Sequence, residues 1–302
     1  MKKIVGLGAN VLDTLISCAR FPKEDTKMRA EKISVIGGGP VGNAMVVTAK
    51  LGLDTEMIGA FSDDASGKRI LDELARFGIK TDRTAIVPNT TAFVSYIALS
   101  EEAGSRTCVF HRGTVPDAPE MISLSAIDEA SILHLDGNYI KCAVAAAKYA
   151  REKGVKVSLD AGGLYEGIEE LLPLVDILIP SAEFAMGITG AKDPASALLQ
   201  LQKTYAPEIL VVTDGDKGGY YYENGQALHY DSVKIQPVDT NGAGDTFHGA
   251  FLAAYSNSMS LVECCQFAGA VAAYKCTQFG AREYELNMDV AMSFMKKSYP
   301  KN

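Results

Sequence analysis

Asp239-Thr240-Asn241-Gly242-Ala243-Gly244-Asp245-Thr246-Phe247 is the stretch of this chain best equipped for chemistry. Small residues let a backbone turn sharply and approach a ligand closely. The run from Thr246 to Asn257 is apolar and reads as a helix. The glycine turn then sits at a helix N-terminus, where free N–H groups and the helix dipole attract a phosphate. A carboxylate at Asp245, beside that site, can accept the proton of a hydroxyl attacking a phosphoryl group. Phosphoryl transfer needs mainly positioning, charge stabilisation and such a base. A single Asp at a helix start is also an ordinary cap; the whole pattern is what argues for chemistry.

Gly37-Gly38-Gly39-Pro40-Val41-Gly42-Asn43 formally contains G-x-G-x-x-G, the mark of a dinucleotide loop. Its context is wrong, because an irregular β segment precedes it. The first strand, Ile4–Gly8, has Gly6 and Gly8 but Val11 where a third glycine belongs. A Walker A loop is absent too, since Gly67-Lys68-Arg69 lacks the upstream glycine and the Ser/Thr. Asp13 follows the first strand, where a residue of an open α/β sheet faces the ligand crevice. An acceptor-only carboxylate there can take two hydroxyl hydrogens, which suits a polyol; an aspartate after a strand also reads as an ordinary turn residue. Thr213-Asp214-Gly215-Asp216-Lys217-Gly218-Gly219 follows a buried strand. It reads either as a ligand-contacting loop at a strand C-terminus or as a hairpin turn. Arg112 suits a carboxylate, phosphate or sulfonate, and with His111 it also reads as a solvated turn pair. His134 reads as core.

The elements around these residues alternate strand and helix. Strands are predicted at 56–59, 132–135, 156–159, 176–179 and 209–213. Helices are predicted at 43–51, 64–77, 141–153, 167–175 and 194–205. Such alternation implies an α/β fold, a doubly wound, mainly parallel sheet covered on both faces. Segments 15–36 and 91–110 break the rhythm, with strand character and no helix between strands. They are read as a small β-sheet lid on a single domain spanning 1–302, with no linker or internal repeat.

The segment 239–247 resembles the C-terminal signature of the ribokinase-like (pfkB-type) carbohydrate kinases. Gly38, Gly39 and Asn43, followed by Leu51-Gly52, match that family's N-terminal signature, and the resemblance spans nearly the whole chain. It implies that Asp245 is the catalytic base and that the N–H groups of Gly242, Ala243 and Gly244 form the anion hole. It implies that Asp13, Gly38, Gly39 and Asn43 bind the sugar; Arg112 is read as a lid contact on its own chemistry, not from the resemblance. It implies that Thr213, Gly215 and Gly218 meet ATP. Phe21–Thr26 and His111–Asp117 are similar to ketohexokinase-type members, and Phe247–Ala250 and Lys275–Thr277 to sulfofructose kinase-type members. In one place the chain departs from the pattern. Many relatives carry Asn-x-x-Glu to organise Mg²⁺-bound water; here Ser181 replaces the Asn and Glu183 comes one residue early. Mg²⁺ is still expected with ATP, because it prefers phosphate oxygens and water. A monovalent cation, K⁺, is the further ion the resemblance allows near Asp239 and Asn241.

Bulk properties agree with this reading. The chain has 302 residues, 47% hydrophobic, with a net charge of −8, which argues against nucleic acid or an anionic membrane as the main partner. Six cysteines without C-x-x-C spacing read as reduced thiols of a cytoplasmic protein. The short apolar run after Met1 is neither a signal peptide nor a membrane span. Expected partners are therefore a small sugar and ATP, with a homodimer through the lid. The alternative is a nucleoside kinase of the same fold.

Overall fold

The computed structural model describes residues 2–103 and 105–299. In chain order the strands are β1 (Lys3–Leu7), β2 (Val11–Cys18), β3 (Lys32–Gly38), β4 (Asp54–Met57), β5 (Gly59–Ser62), β6 (Thr84–Val87), β7 (Val94–Ser100), β8 (Ser105–His111), β9 (Ile132–Asp136), β10 (Lys156–Ala161), β11 (Ile177–Pro180), β12 (Ile209–Thr213), β13 (Gly219–Glu223) and β14 (Gln226–Tyr230). The helices are α1 (Pro40–Lys50), α2 (Ala65–Arg76), α3 (Ile140–Glu152), α4 (Ile168–Leu171), α5 (Ala182–Thr189), α6 (Pro194–Tyr205), α7 (Ala243–Ser256), α8 (Leu261–Cys276) and α9 (Met288–Ser298).

Eight strands form the main sheet in the order β14-β13-β12-β11-β10-β9-β1-β4. β4, β1, β9, β10, β11 and β12 run parallel, and β13 and β14 add an antiparallel edge. Successive strand residues point to opposite faces, and both faces are dry. Ile4, Ile132, Ile177 and Val211 pack under Met45 of α1, Phe247 and Phe251 of α7 and Phe267 of α8. Their neighbours Val5, Leu133, Leu178 and Val212 pack with Ala146 of α3, Phe184 of α5 and Leu198 of α6. The expected doubly wound, mainly parallel sheet is therefore the fold. Among the described residues no helix is long and apolar enough to cross a membrane.

A separate four-stranded sheet, ordered β3-β2-β7-β8, is built from the two early segments read as strand-rich. It joins the main sheet where β1 passes into β2 and where β3 passes into α1. The second junction depends on Gly39, whose φ of 92° and whose Cα, so close that a Cβ would lie 2.4 Å from the Ala9 carbonyl oxygen, admit only glycine. Pro40 then opens α1 at a position where no N–H is needed.

Several expected boundaries move. The strand read at 56–59 is two strands, β4 and β5, divided at Ile58, with Gly59 opening β5 at φ 131°. The helix read at 167–175 is the short α4 followed by a 3₁₀ turn over Leu172–Leu174, because Pro173 cannot donate to a continuing α-helix. The helix read from Thr246 begins at Ala243, with Gly242 as its left-handed N-cap at φ 75°. Asp245 is therefore inside the first helical turn.

Candidate active site

The parallel strands end along one edge, at Leu7, Asp136, Ala161, Pro180 and Thr213. There two helix N-termini meet. α1 and α7 cross so closely that a Cβ on Gly249 would stand 2.4 Å from the Ala44 carbonyl oxygen. This approach brings Asn43 of α1 beside Asp245 of α7, and Asn43 Nδ2 donates to Asp245 Oδ2 at 2.7 Å. Burial lifts the Asp245 carboxyl to about 6; Asp160 pushes the same way, while Asn43, His248 and Arg282 oppose. Part of the residue still faces solvent. Such a carboxylate is mostly ionised at neutral pH yet basic enough to take a proton.

The turn before Asp245 supplies free donors. Among the described residues the N–H groups of Gly242 and Gly244 have no acceptor in the protein, whereas Ala243 N–H reaches back to the Thr240 oxygen at 3.2 Å. A Cβ at Gly244 would meet nothing within 4 Å, so the turn opens outward. Two unsatisfied N–H groups at a helix start, next to a carboxylate, fit a phosphoryl group.

Asp13, on β2, is 8% exposed. Its Oδ1 accepts from Ser95 Oγ at 2.5 Å, and burial pushes its carboxyl up, against the pull of that hydrogen bond and of Arg282. A Cβ on Gly38 would sit 2.0 Å from Asp13 Oδ2, so glycine there leaves room for the carboxylate. Asn10, between Gly8 and Asp13, carries a buried Oδ1 with no partner among the described residues. Asp136 ties the neighbouring strand end to this corner by accepting Ala9 N–H at 2.8 Å and Asn138 N–H at 2.9 Å.

Arg282 joins these parts, and sequence reasoning missed it. Its side chain is fully buried in the segment after α8. Nε donates to Asn43 Oδ1 at 2.7 Å, Nη2 to the Gly38 oxygen at 2.8 Å and Nη1 to Glu73 Oε1 at 3.0 Å. Glu73 in turn accepts Gly37 N–H at 2.9 Å. The guanidinium explains the misleading glycine motif. A Cβ on Gly37 would lie 2.1 Å from Nη1, and one on Gly42 would lie 2.5 Å from Nη2. Those glycines make room for an internal arginine rather than for a pyrophosphate. No local pattern marks Arg282, because its side-chain partners lie in two distant segments, residues 38–43 and Glu73 of α2. Lys50 of α1 clamps the same segment, donating to the Tyr284 oxygen at 2.6 Å.

Beneath Asp245, His248 Nε2 lies 3.2 Å from Asp160 Oδ1, and both residues are buried. His134, in the core as read, faces Ser158 Oγ at 3.2 Å. Among the described residues the other expected site residues make no hydrogen bond or ion pair to the Asp13, Asn43, Asp245 and Arg282 side chains. Thr213, Gly215 and Gly218 form the turn between β12 and β13, which has the hairpin shape allowed for it; Gly218 there has φ 86° and passes so close to the Tyr230 oxygen that a Cβ would stand 2.0 Å away. Glu183 is exposed in the first turn of α5, while Ser181 caps that helix by accepting Phe184 N–H at 3.1 Å. Arg112 hydrogen-bonds the Asn138 carbonyl and lies 5.9 Å from the Tyr139 ring centroid, beside an open depression of about 940 Å³. Arg106, on β8 of the second sheet, reaches across to Asn241 Oδ1 at 2.9 Å. Asp239 accepts Asn241 N–H at 2.8 Å and Gly280 N–H at 2.9 Å on its two carboxylate oxygens.

Comparison with known proteins agrees with this geometry. The chain is 26% identical over 288 residues to the ribokinase of Bacillus subtilis (strain 168), covering 93% of this chain and 95% of that one. It is 23% identical over 279 residues to the nucleoside kinase of Methanothermobacter thermautotrophicus, covering 90% and 89%. The structure of Arabidopsis thaliana ribokinase complexed with ribose and ATP superposes with a TM-score of 0.85 at 27% identity, over 98% of both chains. Residues 1–287 match the family described as pfkB family carbohydrate kinase, and the chain therefore belongs to the pfkB family of carbohydrate kinases, ATP-dependent enzymes that phosphorylate sugar hydroxyls.

Proposed function

We infer that Asp245 is the base by which this kinase moves the γ-phosphoryl group of ATP onto a hydroxyl of a sugar or sugar derivative. The observation that carries this reading is the Asp245 carboxylate in the first turn of α7, held by Asn43 and flanked by the free Gly242 and Gly244 N–H groups. The accepting hydroxyl gives its proton to Asp245 as its oxygen attacks the γ-phosphorus. The bond to the bridging oxygen breaks and ADP leaves with that electron pair. The free N–H groups of Gly242 and Gly244 take up charge on the phosphoryl oxygens, where fixed donors are worth most.

Arg282 ties Gly38 to Asn43, Asp13 lies against Gly38, and with Gly39 these residues suit the sugar. Thr213, Gly215 and Gly218, at the C-terminal end of β12, suit ATP, following the rule that open α/β sheets bind ligands beyond their strand C-termini. Mg²⁺ would enter with the ATP phosphates, largely hydrated, and the exposed Glu183 carboxylate would orient one of its waters. Arg112 would meet an anionic or hydroxyl-rich substituent of the substrate. We place the enzyme in the cytoplasm, in keeping with its unpaired cysteines, and as a homodimer through the second sheet.

The test is ATP consumption by the purified chain against ribose, fructose, sugar acids, adenosine and inosine. Turnover with a sugar or sugar acid supports the reading. Turnover with nucleosides alone would replace it by the nucleoside kinase alternative. ATP binding without turnover on any alcohol would overturn it.

A further inference from the structure

Lys275 lies in the last turn of α8, in an otherwise apolar stretch, and its side chain is 0% exposed. A lysine this deep is rare unless its charge is matched. Its Nζ donates to the Asp239 carbonyl oxygen at 2.7 Å and lies 3.9 Å from Asp239 Oδ1. The same loop is strapped to the end of α8, since Val238 and Asp239 N–H both point to the Cys276 oxygen, at 2.7 and 3.2 Å. The ammonium thus sits at the C-terminal, electronegative end of one helix. It also lies directly behind the loop that opens into the Gly242–Gly244 turn at the N-terminus of another.

This is the place where a monovalent cation was expected, near Asp239 and Asn241. The residues present do not fit one. The Asp239 carbonyl is engaged by the ammonium, and both Asp239 carboxylate oxygens accept backbone N–H groups. Asn241 Oδ1 is taken by Arg106. Every side-chain oxygen of the two expected ligands already accepts a hydrogen bond, and Lys275 Nζ stands beside them. An ammonium is a compact point charge with three donors, able to hold the loop much as a singly charged ion would.

We propose that the Lys275 ammonium takes the part of a monovalent cation, locking the 238–241 loop and its phosphoryl-binding turn, so that this kinase works without added K⁺. The proposal rests on the reading of residues 242–244 as the phosphoryl site, and Lys275 acts through the loop as a positioning residue.

The test compares wild type and Lys275→Ala in choline, Na⁺, K⁺ and NH₄⁺ salts at one ionic strength. Two readouts are taken: turnover with the best substrate of the panel, and the melting temperature of the substrate-free protein. Wild type should be indifferent to the cation in both. Lys275→Ala, which empties the space, should lose on the order of tenfold or more in choline, and K⁺ or NH₄⁺ should restore turnover and raise its melting temperature. Wild-type turnover that depends on K⁺ would overturn the proposal. So would a folded Lys275→Ala that is fully active in choline, or one that no cation rescues. If Lys275→Ala does not fold, the cation response of the wild type decides alone. A wild type inactive on every substrate would count against the kinase reading, while the melting response would still decide the role of Lys275.

Discussion

Asn43 Nδ2 stands 2.7 Å from Asp245 Oδ2, and this one bond joins the first turns of two helices separated by some two hundred residues of chain. The Asn43 amide cannot be reversed. Its oxygen accepts from Arg282 Nε at 2.7 Å, so a flip would set the NH₂ group against a guanidinium N–H and the carbonyl against a carboxylate. Arg282 therefore fixes which end of Asn43 meets the base, and Asn43 fixes the base.

Asp245→Asn keeps the size of the side chain and removes its basicity. ATP binding should persist, while turnover falls by about 10²–10⁴, the usual contribution of a general base. Calorimetry for ATP and a steady-state assay for turnover separate the two. A variant with near-wild-type turnover would show that another group takes the proton.

The pH profile of kcat/KM reports the free enzyme's essential groups. Burial lifts Asp245 to about 6, and the base works only when ionised. Activity should therefore be full above that value and fall as pH drops through about 6. A profile flat down to the ordinary carboxylate range near pH 4 would contradict the assignment.

Arg282→Met should shift that acid limb to higher pH, because it removes a positive charge near Asp245 and frees the Asn43 amide. It should also cost about 3–5 kcal/mol, since Glu73 is left buried without its partner. The double variant Arg282→Met, Glu73→Met separates the two effects. Urea melts should show stability largely recovered, while the acid limb stays displaced. A limb that returns to the wild-type position in the double variant would make Arg282 purely structural.

Much of the fold could be read from residue order because its elements announce themselves locally. Segments 194–205 and 209–213 are α6 and β12 as read, one bounded by Asp193 and Pro194 and the other an unbroken apolar run. α8 gives no such signal, because it is apolar on most sides and packs against both α7 and α9, and such a helix has no stripe to detect. Lys275 did leave a trace, one charge in an apolar run. Arg282 left none. The signature residues of the site were legible because small residues and a carboxylate are packed into one short stretch. The residues that hold them in place make contacts only in three dimensions.

Glu56 offers a stability test remote from the site. It is 1% exposed, accepts Arg83 Nε and Nη2 at 2.6 Å each, and lies 2.7 Å from Lys3 Nζ. Burial would raise its carboxyl, but Arg83 and Lys3 outweigh burial and hold it below the ordinary value. With the folded-state value depressed, this stabilisation is present above the unfolded glutamate range, near pH 4.3, and is lost as pH falls through the folded value. Glu56→Gln should destabilise the protein at pH 7 by about 3–5 kcal/mol, and the gap to wild type in chemical melts should narrow in acid. A constant gap at all pH values would mean that packing, not charge, is what Glu56 contributes.

The second sheet presents its two faces differently. Asp13 and Ser95 lie on one face, with the proposed sugar contacts. On the other, Tyr96 pairs with Val109 across β7 and β8, and Ile33 with Ile16 across β3 and β2. Ile33, Tyr96 and Val109 are 62%, 54% and 67% exposed. Apolar residues gathered on one side of a small sheet mark a surface that something covers, and a second copy of the sheet is the occupant we propose. Sedimentation should show a dimer, and Val109→Glu should shift it toward monomer, because a charge placed there would be buried unpaired. If the sheet also closes over the sugar, it would exclude water from the γ-phosphate and limit wasteful ATP hydrolysis. Arg106, already bonded to Asn241 from β8, would be one fastening for that closure. Amide hydrogen exchange in β2, β3, β7 and β8 should then slow when sugar is added. A strict monomer whose exchange ignores sugar would leave this sheet with neither role, without touching the assignment of Asp245.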